Sequence, residues 1–339
     1  VFQKNPDSIL WCIRTDGKVA GLTLESNQQV QAWCLLEFDG EVESMETIPS
    51  YNGLYDEAYL IVKRIINGQE VRHIERMQDL ITPEIQSKCW YVRDGLYYNA
   101  FEQTQGIALT VLDKTGTVTA TASEDAFTTN SVGRRIRAVD DELNSVGEMV
   151  ITEFVDAKTV KGQIKEAFDK TEYQGTWWGV SIQTVTNCNH LDGKEIQILA
   201  DGAVQTNKTV QNGTFKLDAD AFYIIAGLKY QTYFTTMSAE TGAQNGTAVG
   251  KKKRINEMSI RVWRTSGARV GKDLDNLEKI KYRDPSVEMG MPQPLFTGVI
   301  SNIKYNQGWT TEATITVEQS EPLPMNILAI APLVNEHDK

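Results

Sequence analysis

The amino-acid sequence predicts a mostly β protein of antiparallel meanders, and three observations support this fold class. Tight-turn dipeptides recur along the chain, apolar and polar residues alternate between them, and nothing resembles a βαβ unit. Asp-Gly and Asn-Gly tolerate the positive φ angles that two-residue hairpin turns require. Such dipeptides occur at 16–17, 39–40, 52–53, 67–68, 94–95, 192–193, 201–202, 212–213 and 245–246.

The clearest alternation lies in Gly250–Gly271, GKKKRINEMSIRVWRTSGARVG. A period of two over this length is typical of a strand with one buried face. The predicted inward side chains are Met258, Ile260 and Val262, and the predicted outward side chains are Ser259, Arg261 and Trp263.

Three regions are predicted from the order of these patterns. Residues 1–84 are expected to form a meander that resembles a β-propeller blade and its neighbour, with an open meander as the alternative. Residues 85–178, rich in Thr and Ser, are expected to form an inserted small β-barrel or sandwich. Residues 179–339 are expected to complete the platform with further hairpins, and Asp273–Arg283 is the best candidate for a short helix, ended by Pro285.

The predicted strands can be assigned individually from the alternating or Val-, Ile- and Thr-rich runs between turns. They are Ile9–Arg14, Val19–Leu24, Val30–Phe38, Val42–Ile48, Tyr59–Ile66, Glu70–Arg76, Gly106–Leu112, Thr117–Ala122, Arg135–Val139, Glu148–Phe154, Thr159–Ile164, Glu195–Ala200, Thr214–Leu217, Phe222–Ala226, Leu295–Tyr305, Ala313–Gln319 and Asn326–Ala331.

Length and composition bound the class of protein. A chain of 339 residues suggests two or three domains, and 41% hydrophobic with 23% charged residues is typical of a globular protein with a buried core. The net charge is −11 and the sequence pI about 5.0. Most of such a surface repels nucleic acid, so DNA passing nearby is expected to slide past.

The four cysteines stand far apart without a Cys-x-x-Cys motif, so zinc ribbons and redox motifs are not expected. Free, half-buried thiols and synthesis in the cytoplasm are the default interpretation. No apolar run approaches the roughly 20 residues that a membrane-spanning helix needs, and no signal peptide is visible. The chain begins at Val1 within a strand pattern, and we expect it to be the C-terminal piece of a longer protein.

The residue types that carry out catalysis are present without a recognisable arrangement. His73 and His190 lie in different segments, and His337 lies in a polar tail that we expect to be disordered. Cys188 and His190 form a Cys-x-His pair, which supplies too few ligands for a metal site. No Gly-x-Ser-x-Gly or phosphate-binding glycine loop is present. We therefore expect neither a cofactor nor a metal.

Carboxylates are plentiful, and a glycosidase needs two of them held on either side of a sugar. Candidate groups are the run Asp140-Asp141-Glu142, predicted to be a solvated loop, and the pair Asp218 and Asp220. An acidic, strand-rich surface supplies such pairs by chance. A polysaccharide hydrolase therefore remains an alternative hypothesis.

Cations concentrate in the strand within Gly250–Gly271 and have two interpretations. They form a solvated strand end that blunts a sheet edge, or they contact an acidic partner subunit or passing phosphates. The candidate interaction residues are Lys251, Lys252, Lys253, Arg254, Arg261, Arg264 and Arg269.

Trp177 and Trp178 are adjacent and also have two interpretations. A buried wall between two β modules is favoured for this pair, because large aromatic side chains dominate such contacts. The alternative is an exposed platform for a sugar, in which Trp309 is a further candidate. A glycan-binding adhesin or receptor-binding module is thus a second functional hypothesis.

The chain resembles the C-terminal part of the tail nozzle, or tail tubular, proteins of short-tailed bacteriophages. No single motif is diagnostic, but the order of the similar segments is fairly specific. These segments are ILWCIRTDGKVAGLTL, VQAWCLLEFDGEVESMETIPS, DEAYLIVKRIINGQEVRHIERM, AFTTNSVGRRIRAV, EMVITEF, HLDGKEIQILADGAVQ, GTAVGKKKRINEMSIRVWRTSGARVG, PLFTG, QGW and PLPMNILAIAP.

The resemblance implies a virion structural protein, assembled in the host bacterial cytoplasm, that is not an enzyme. Such proteins form a homohexameric tube at the tip of the tail, attached to an adaptor ring beneath the portal, and tail fibres or tailspikes attach to the tube. Many of them use a β-propeller platform with inserted β modules. Genomic DNA is ejected through the channel without sequence specificity. By this resemblance, we expect the chain to lack the N-terminal part of the family pattern.

Overall fold

The computed structural model describes residues 1–78, 82–113, 115–174, 177–240, 249–281, 292–305 and 307–337. Among these residues 56% lie in strands and 5% in helices, and every strand pairing is antiparallel, so the predicted mostly β fold class is confirmed. The strands form seven sheets, one of which is nearly closed and barrel-like. The finer likeness to a propeller stays a prediction.

The first seven strands form two sheets that share one apolar core. A four-stranded sheet has the order β1-β2-β3-β4, and a three-stranded sheet has the order β5-β6-β7. Trp11, Val19, Leu60 and Val62 are buried between them. The strands are β1 Phe2–Gln3, β2 Ile9–Ile13, β3 Val19–Glu25, β4 Val30–Leu36, β5 Glu41–Pro49, β6 Asp56–Ile66 and β7 Gln69–Arg76.

The next strand, β8 (Arg93–Asn99), precedes the barrel-like sheet, which is built from residues 109–180 alone. Its order is β14-β9-β10-β13-β12-β11-β15, and its interior is filled by side chains such as Ile136, Met149, Phe168 and Trp178. The strands are β9 Leu109–Val111, β10 Thr117–Ala122, β11 Arg135–Val139, β12 Ser145–Phe154, β13 Thr159–Glu166, β14 Glu172–Tyr173 and β15 Trp178–Val180.

The sheet that receives β8 continues after the barrel-like sheet, in the order β18-β17-β20-β8. A two-stranded sheet, β16-β19, packs on the same core, which includes Ile196, Ile198 and Ile224. The barrel-like sheet therefore interrupts the sequence of another sheet. The strands are β16 Ile182–Val185, β17 Glu195–Ala200, β18 Ala203–Thr209, β19 Phe215–Ala221 and β20 Tyr223–Leu228. The division of the chain after residues 84 and 178 stays a prediction.

Two further sheets form the last part of the chain around a core that includes Met258, Ile260 and Val317. Their orders are β21-β26-β23-β24 and β25-β22-β27. The strands are β21 Thr232–Thr235, β22 Lys252–Thr265, β23 Arg269–Gly271, β24 Leu277–Lys279, β25 Phe296–Lys304, β26 Thr316–Gln319 and β27 Ile327–His337.

Helices are short in the described ranges, and none is long and apolar enough to cross a membrane. The one α-helical turn of the described residues, α1, spans Ala100–Gln103 and is capped by the Asn99 side chain, which accepts from the Phe101 N–H. The 3₁₀ turns are Ser26–Gln28, Gln86–Lys88, Thr129–Ser131 and Asn189–Leu191.

Three of the predicted Asn-Gly and Asp-Gly turns have the left-handed geometry of two-residue hairpins. Asn67, Asp201 and Asn212 have φ angles of 49°, 49° and 51°, and the following glycines are also positive. Two other dipeptides do not close a hairpin. Gly40 lies where the chain passes from one sheet to the next, and Asp94 (φ 47°) lies inside β8 near a register shift. Asn245-Gly246 lies outside the described residues.

The predicted helix from Asp273 is wrong over its described part. The Asp273 carboxylate accepts from the Asp275 N–H and the Asn276 side-chain amide, which makes a turn, and Leu277–Lys279 is the strand β24, paired with β23. Residues 282–283 of the predicted helix lie outside the described residues.

Candidate interaction surfaces

Strand β22 keeps the predicted inward face by means of two irregularities. Met258, Ile260 and Val262 are each at most 1% exposed, and Ser259, Arg261 and Trp263 lie on the other face, so this prediction is confirmed. Register shifts interrupt the pairing with β27 after Ile255 and the pairing with β25 after Val262. Such β-bulges let a strand of 14 residues keep its apolar side chains on one side.

Lys253 does not lie on the surface, which corrects the expectation for the four consecutive cations. Its side chain is 0% exposed, and the ammonium donates to Ala239 O (2.8 Å), Glu240 Oε1 (2.8 Å) and Ser238 Oγ (3.1 Å). These contacts use all three donors of the ammonium, and the carboxylate balances its charge. The inward position follows from the alternation of β22, in which Lys253 shares the face of Ile255.

Five of the other six candidate cations lie on strands of two sheets, and Lys251 immediately precedes β22. Lys252, Arg254 and Arg261 are exposed on β22, and Arg269 is exposed on β23. Arg254 and Arg261 are seven residues apart, or roughly 23 Å along an extended strand. These cations therefore form a dispersed row and not one compact patch.

Two of these six side chains already have partners within the chain. Lys251 Nζ lies 3.7 Å from Glu336 Oε2. Arg264 donates to Thr82 O (2.9 Å) and to Glu84, and its guanidinium lies 4.6 Å from the centre of the Trp263 ring. Arg264 therefore ties β22 to the segment that follows the first two sheets.

The structure brings together two histidines that the sequence left in separate segments. The rings of His73 and His190 lie 6.1 Å apart, and His73 Nδ1 lies 2.7 Å from Asp94 Oδ2. Arg64, with a side chain that is 0% exposed, contacts Asp94 at 3.5 Å and also Glu75. This charged cluster joins β6 and β7 to β8. Sequence spacing gives no signal for it, because its members come from four elements.

The tail histidine, His337, lies in a strand and not in a disordered tail. His337 ends β27, pairs with Lys252 across the sheet and places its ring 5.8 Å from that of Trp309. The prediction of a disordered His337 is therefore wrong, because β27 continues for six residues beyond the predicted end at Ala331. The exposed fraction of Trp309 is 47%.

The thiols are free, as predicted, and differ in exposure. Cys34 is exposed and Cys12 half-buried, whereas Cys89 and Cys188 are buried. Burial raises the pKa of the Cys188 thiol to about 11 and that of Cys89 to about 12. No group of three or more His, Cys, Asp or Glu side chains suited to a metal ion occurs within the described ranges.

The candidate carboxylates other than Asp141 are held by local partners. Asp140 accepts hydrogen bonds from the Asn144 side chain and from the backbone of Asn144 and Glu142, and these bonds lower the pKa of its carboxyl. Asp141 and Glu142 are exposed, as expected for the predicted solvated loop. Asp218 is bound by Lys208, which lowers its pKa to about 2. Asp220 binds Arg135 and Ser181 at the junction with β11.

The two adjacent tryptophans have different environments, so neither interpretation of the pair holds for both. Trp178 is 0% exposed inside the barrel-like sheet, and its indole N–H donates to Ile107 O at 2.8 Å. Trp177 is 41% exposed and lines a cleft of about 430 Å³ with Asp140, Asp141, Lys170, Glu172, Tyr173 and Gln174.

An uncovered strand edge is the most exposed apolar feature of the first sheet. Six of the seven residues of β4 are exposed, and the strand pairs only with β3 among the described strands. Trp33 is 64% exposed and Leu35 is 45% exposed, and the sequence VQAWCLL carries no charge. A long, uncharged and apolar edge is normally covered by another segment or chain, since it otherwise promotes aggregation. The sequence predicted this strand but not that it would lie at an edge.

Comparison with known family models and curated proteins identified no relative of this chain. No protein-family model matches the chain, and no curated protein matches it.

Proposed function

We propose that this chain is a structural component of a virion, the C-terminal part of the tail nozzle protein of a short-tailed bacteriophage. In this proposal six copies form a ring or tube at the tail tip, through which the genomic DNA leaves the particle. The portal adaptor and the tail fibres or tailspikes are its protein partners. The observation that carries the proposal is the order of the similar sequence segments, which run along nearly the whole chain.

The arrangement of strands supports a load-bearing role. Antiparallel ladders account for most of the described residues, and their hydrogen bonds act together when the sheet is pulled. Hydrogen bonds and ion pairs made by side chains also connect neighbouring sheets. Arg264 reaches Thr82 and Glu84, and Lys194 Nζ lies 2.9 Å from Asp39 Oδ2. Such joints suit a wall that works by keeping its shape.

The uncovered edge of β4 supports self-assembly. Its exposed apolar side chains, including Trp33 and Leu35, need cover, and in a ring of identical subunits the neighbouring copy provides it. A permanent contact of this kind buries on the order of 2,000 Å² or more. The exposed cations Lys252, Arg254, Arg261 and Arg269 are then available to the acidic surface of a neighbouring subunit, since the chain carries a net charge of −11.

The proposal is tested by electron microscopy of the protein in its longest natural form and of the virion. We expect six-fold rings, and we expect the double variant Trp33→Arg/Leu35→Arg to abolish them, because two charges cannot be buried at an apolar contact. The matched control is Leu112→Arg, which changes a side chain that is 67% exposed beside β9. Cys34 supplies a second measurement, because its exposed thiol on β4 should react quickly with a thiol reagent in the single subunit and slowly in the ring.

A protein that stays monomeric in its longest form and is absent from the particle would overturn the proposal. If the double variant still forms rings, and Cys34 stays fully reactive in them, the proposal of a ring stands but β4 is excluded as the contact between subunits.

A further inference from the structure

The cleft beside Trp177 is a second feature that the assembly proposal does not use. It lies at the seam of the barrel-like sheet, where the two edge strands β14 and β15 come together without pairing. Its walls come from both edges, with Glu172 and Gln174 on one side and Asp141 and Trp177 on the other. A volume of about 430 Å³ lies in the range of small-molecule sites.

The aromatic wall of this cleft is firmly placed. The backbone carbonyl of Trp177 accepts from the Val139 N–H at 2.8 Å, which extends the pairing of β11 with β15. The next residue, Trp178, is buried and anchors the strand in the barrel interior. The Trp177 side chain is therefore placed at the mouth by the residue that immediately precedes β15, and Trp177 is 41% exposed.

The floor and the polar wall are also fixed. Tyr173 is 4% exposed, and its hydroxyl donates to Asp169 and accepts from the Lys170 N–H at 3.0 Å. Gln174 Nε2 donates to Glu172 Oε1 at 2.9 Å, which orients that carboxylate. Within the described ranges, the side chains of Asp141 and Lys170 make no hydrogen bond to the protein, so they are available to a ligand.

We propose that this cleft binds a neutral saccharide, with one pyranose ring stacked on Trp177. The indole offers an apolar face of the kind that covers the C–H face of a sugar ring. Sugar hydroxyls both donate and accept, and the cleft offers both kinds of partner. The carboxylates of Asp141 and Glu172 accept, the ammonium of Lys170 donates, and Gln174 does both.

A cationic ligand is the main competitor, since tryptophan and carboxylates also hold quaternary ammonium groups. The lining holds three carboxylates, those of Asp140, Asp141 and Glu172, against the one ammonium of Lys170, so charge alone does not separate the two kinds of ligand. Hydrogen bonding does separate them, because a quaternary ammonium has no hydrogen to donate to these carboxylates and no acceptor for the Lys170 ammonium. The mixture of donors and acceptors therefore favours hydroxyl groups.

The test measures binding of glucose, galactose, N-acetylglucosamine and their β-linked disaccharides to the intact chain by calorimetry and tryptophan fluorescence. We expect saturable binding of at least one probe, about tenfold weaker in Trp177→Ala and largely kept in Trp177→Tyr. Asp141→Ala changes an exposed side chain that supports no contact of the fold, and it should also weaken binding about tenfold. The matched control is Trp309→Ala, which removes another exposed tryptophan and should leave binding unchanged.

If none of the probes binds at about 10 mM, the proposal is overturned. Binding of choline in place of sugars would replace it with a cation site, and equal losses in Trp177→Ala and Trp309→Ala would move the site elsewhere. None of these outcomes bears on ring formation, which is measured separately by microscopy.

Discussion

The first two sheets and the barrel-like sheet solve the problem of strand edges in different ways. In the first region β4 leaves an apolar edge uncovered, and the fully buried Arg64 lies against Glu75 and Asp94. In the barrel-like sheet the two edges nearly meet, and the interior is apolar. A sheet that closes on itself needs no neighbour, whereas an open one presents a contact. In the proposed ring, the first region would therefore need a neighbouring subunit, whereas the barrel-like sheet would not.

The largest expected effect on stability comes from removing the buried indole of the barrel-like sheet, and removing the exposed indole of β4 is the comparison. Trp178→Ala should lower the free energy of unfolding by about 3–5 kcal/mol, because it empties the centre of the barrel-like sheet. Trp33→Ala in the unassembled chain should change it by no more than about 0.5 kcal/mol, since that side chain is 64% exposed. Urea unfolding followed by circular dichroism measures both, and equal losses would contradict the contrast.

The charged interior of the first region gives the next largest effect. Arg64→Met removes the buried guanidinium that faces Glu75 and Asp94, and it should cost about 3 kcal/mol because those carboxylates keep their charges. The matched control is Arg72→Met in the same sheet, where the pair with Glu43 is exposed to solvent and should contribute far less to stability than the buried cluster. An Arg64→Met variant as stable as the parent would show that water reaches this cluster.

Salt and pH give the smallest effect and separate two surface carboxylates. The Arg72 side chain lowers the pKa of Glu43 in the first region, and the Asn144 side chain lowers the pKa of Asp140 beside the barrel-like sheet. Each carboxylate therefore stabilises the fold above its ordinary pKa and loses that contribution as the pH falls through the lowered pKa.

The two partners differ in charge, so they should respond differently to salt. At 1 M salt, where the screening length is about 3 Å, the pKa of Glu43 should rise toward its ordinary value. That of Asp140 should hardly move, because its partners are neutral. Carboxyl carbon NMR titrations at low and high salt measure both, and parallel shifts would refute the distinction.

Local chemistry explains which parts of the fold were predictable. Most hairpin strands were placed within a few residues, because turns such as Asn67-Gly68 and Asp201-Gly202 depend on their own φ angles. The helix at Asp273 failed since β23 offered Leu277–Lys279 a pairing partner, which a sequence window does not contain.

The candidate surfaces were less predictable than the strands. The burial of Lys253 depends on carbonyl and carboxylate groups at Ala239 and Glu240, which its own segment does not reveal. The cleft requires Asp141 and Glu172 to meet across the seam of a sheet. Trp177 was singled out as a candidate because of its residue type, but only the fold distinguishes it from Trp178.

The points where the chain enters and leaves the barrel-like sheet touch each other. A methyl group added at Gly179 would lie 2.9 Å from the Ala100 side chain, and the Thr104 hydroxyl donates to Trp178 O. A segment whose two ends meet in this way can be lengthened, replaced or lost in one genetic event while the surrounding strands keep their partners. Evolution can therefore change this part of the protein and leave the rest of the architecture unchanged.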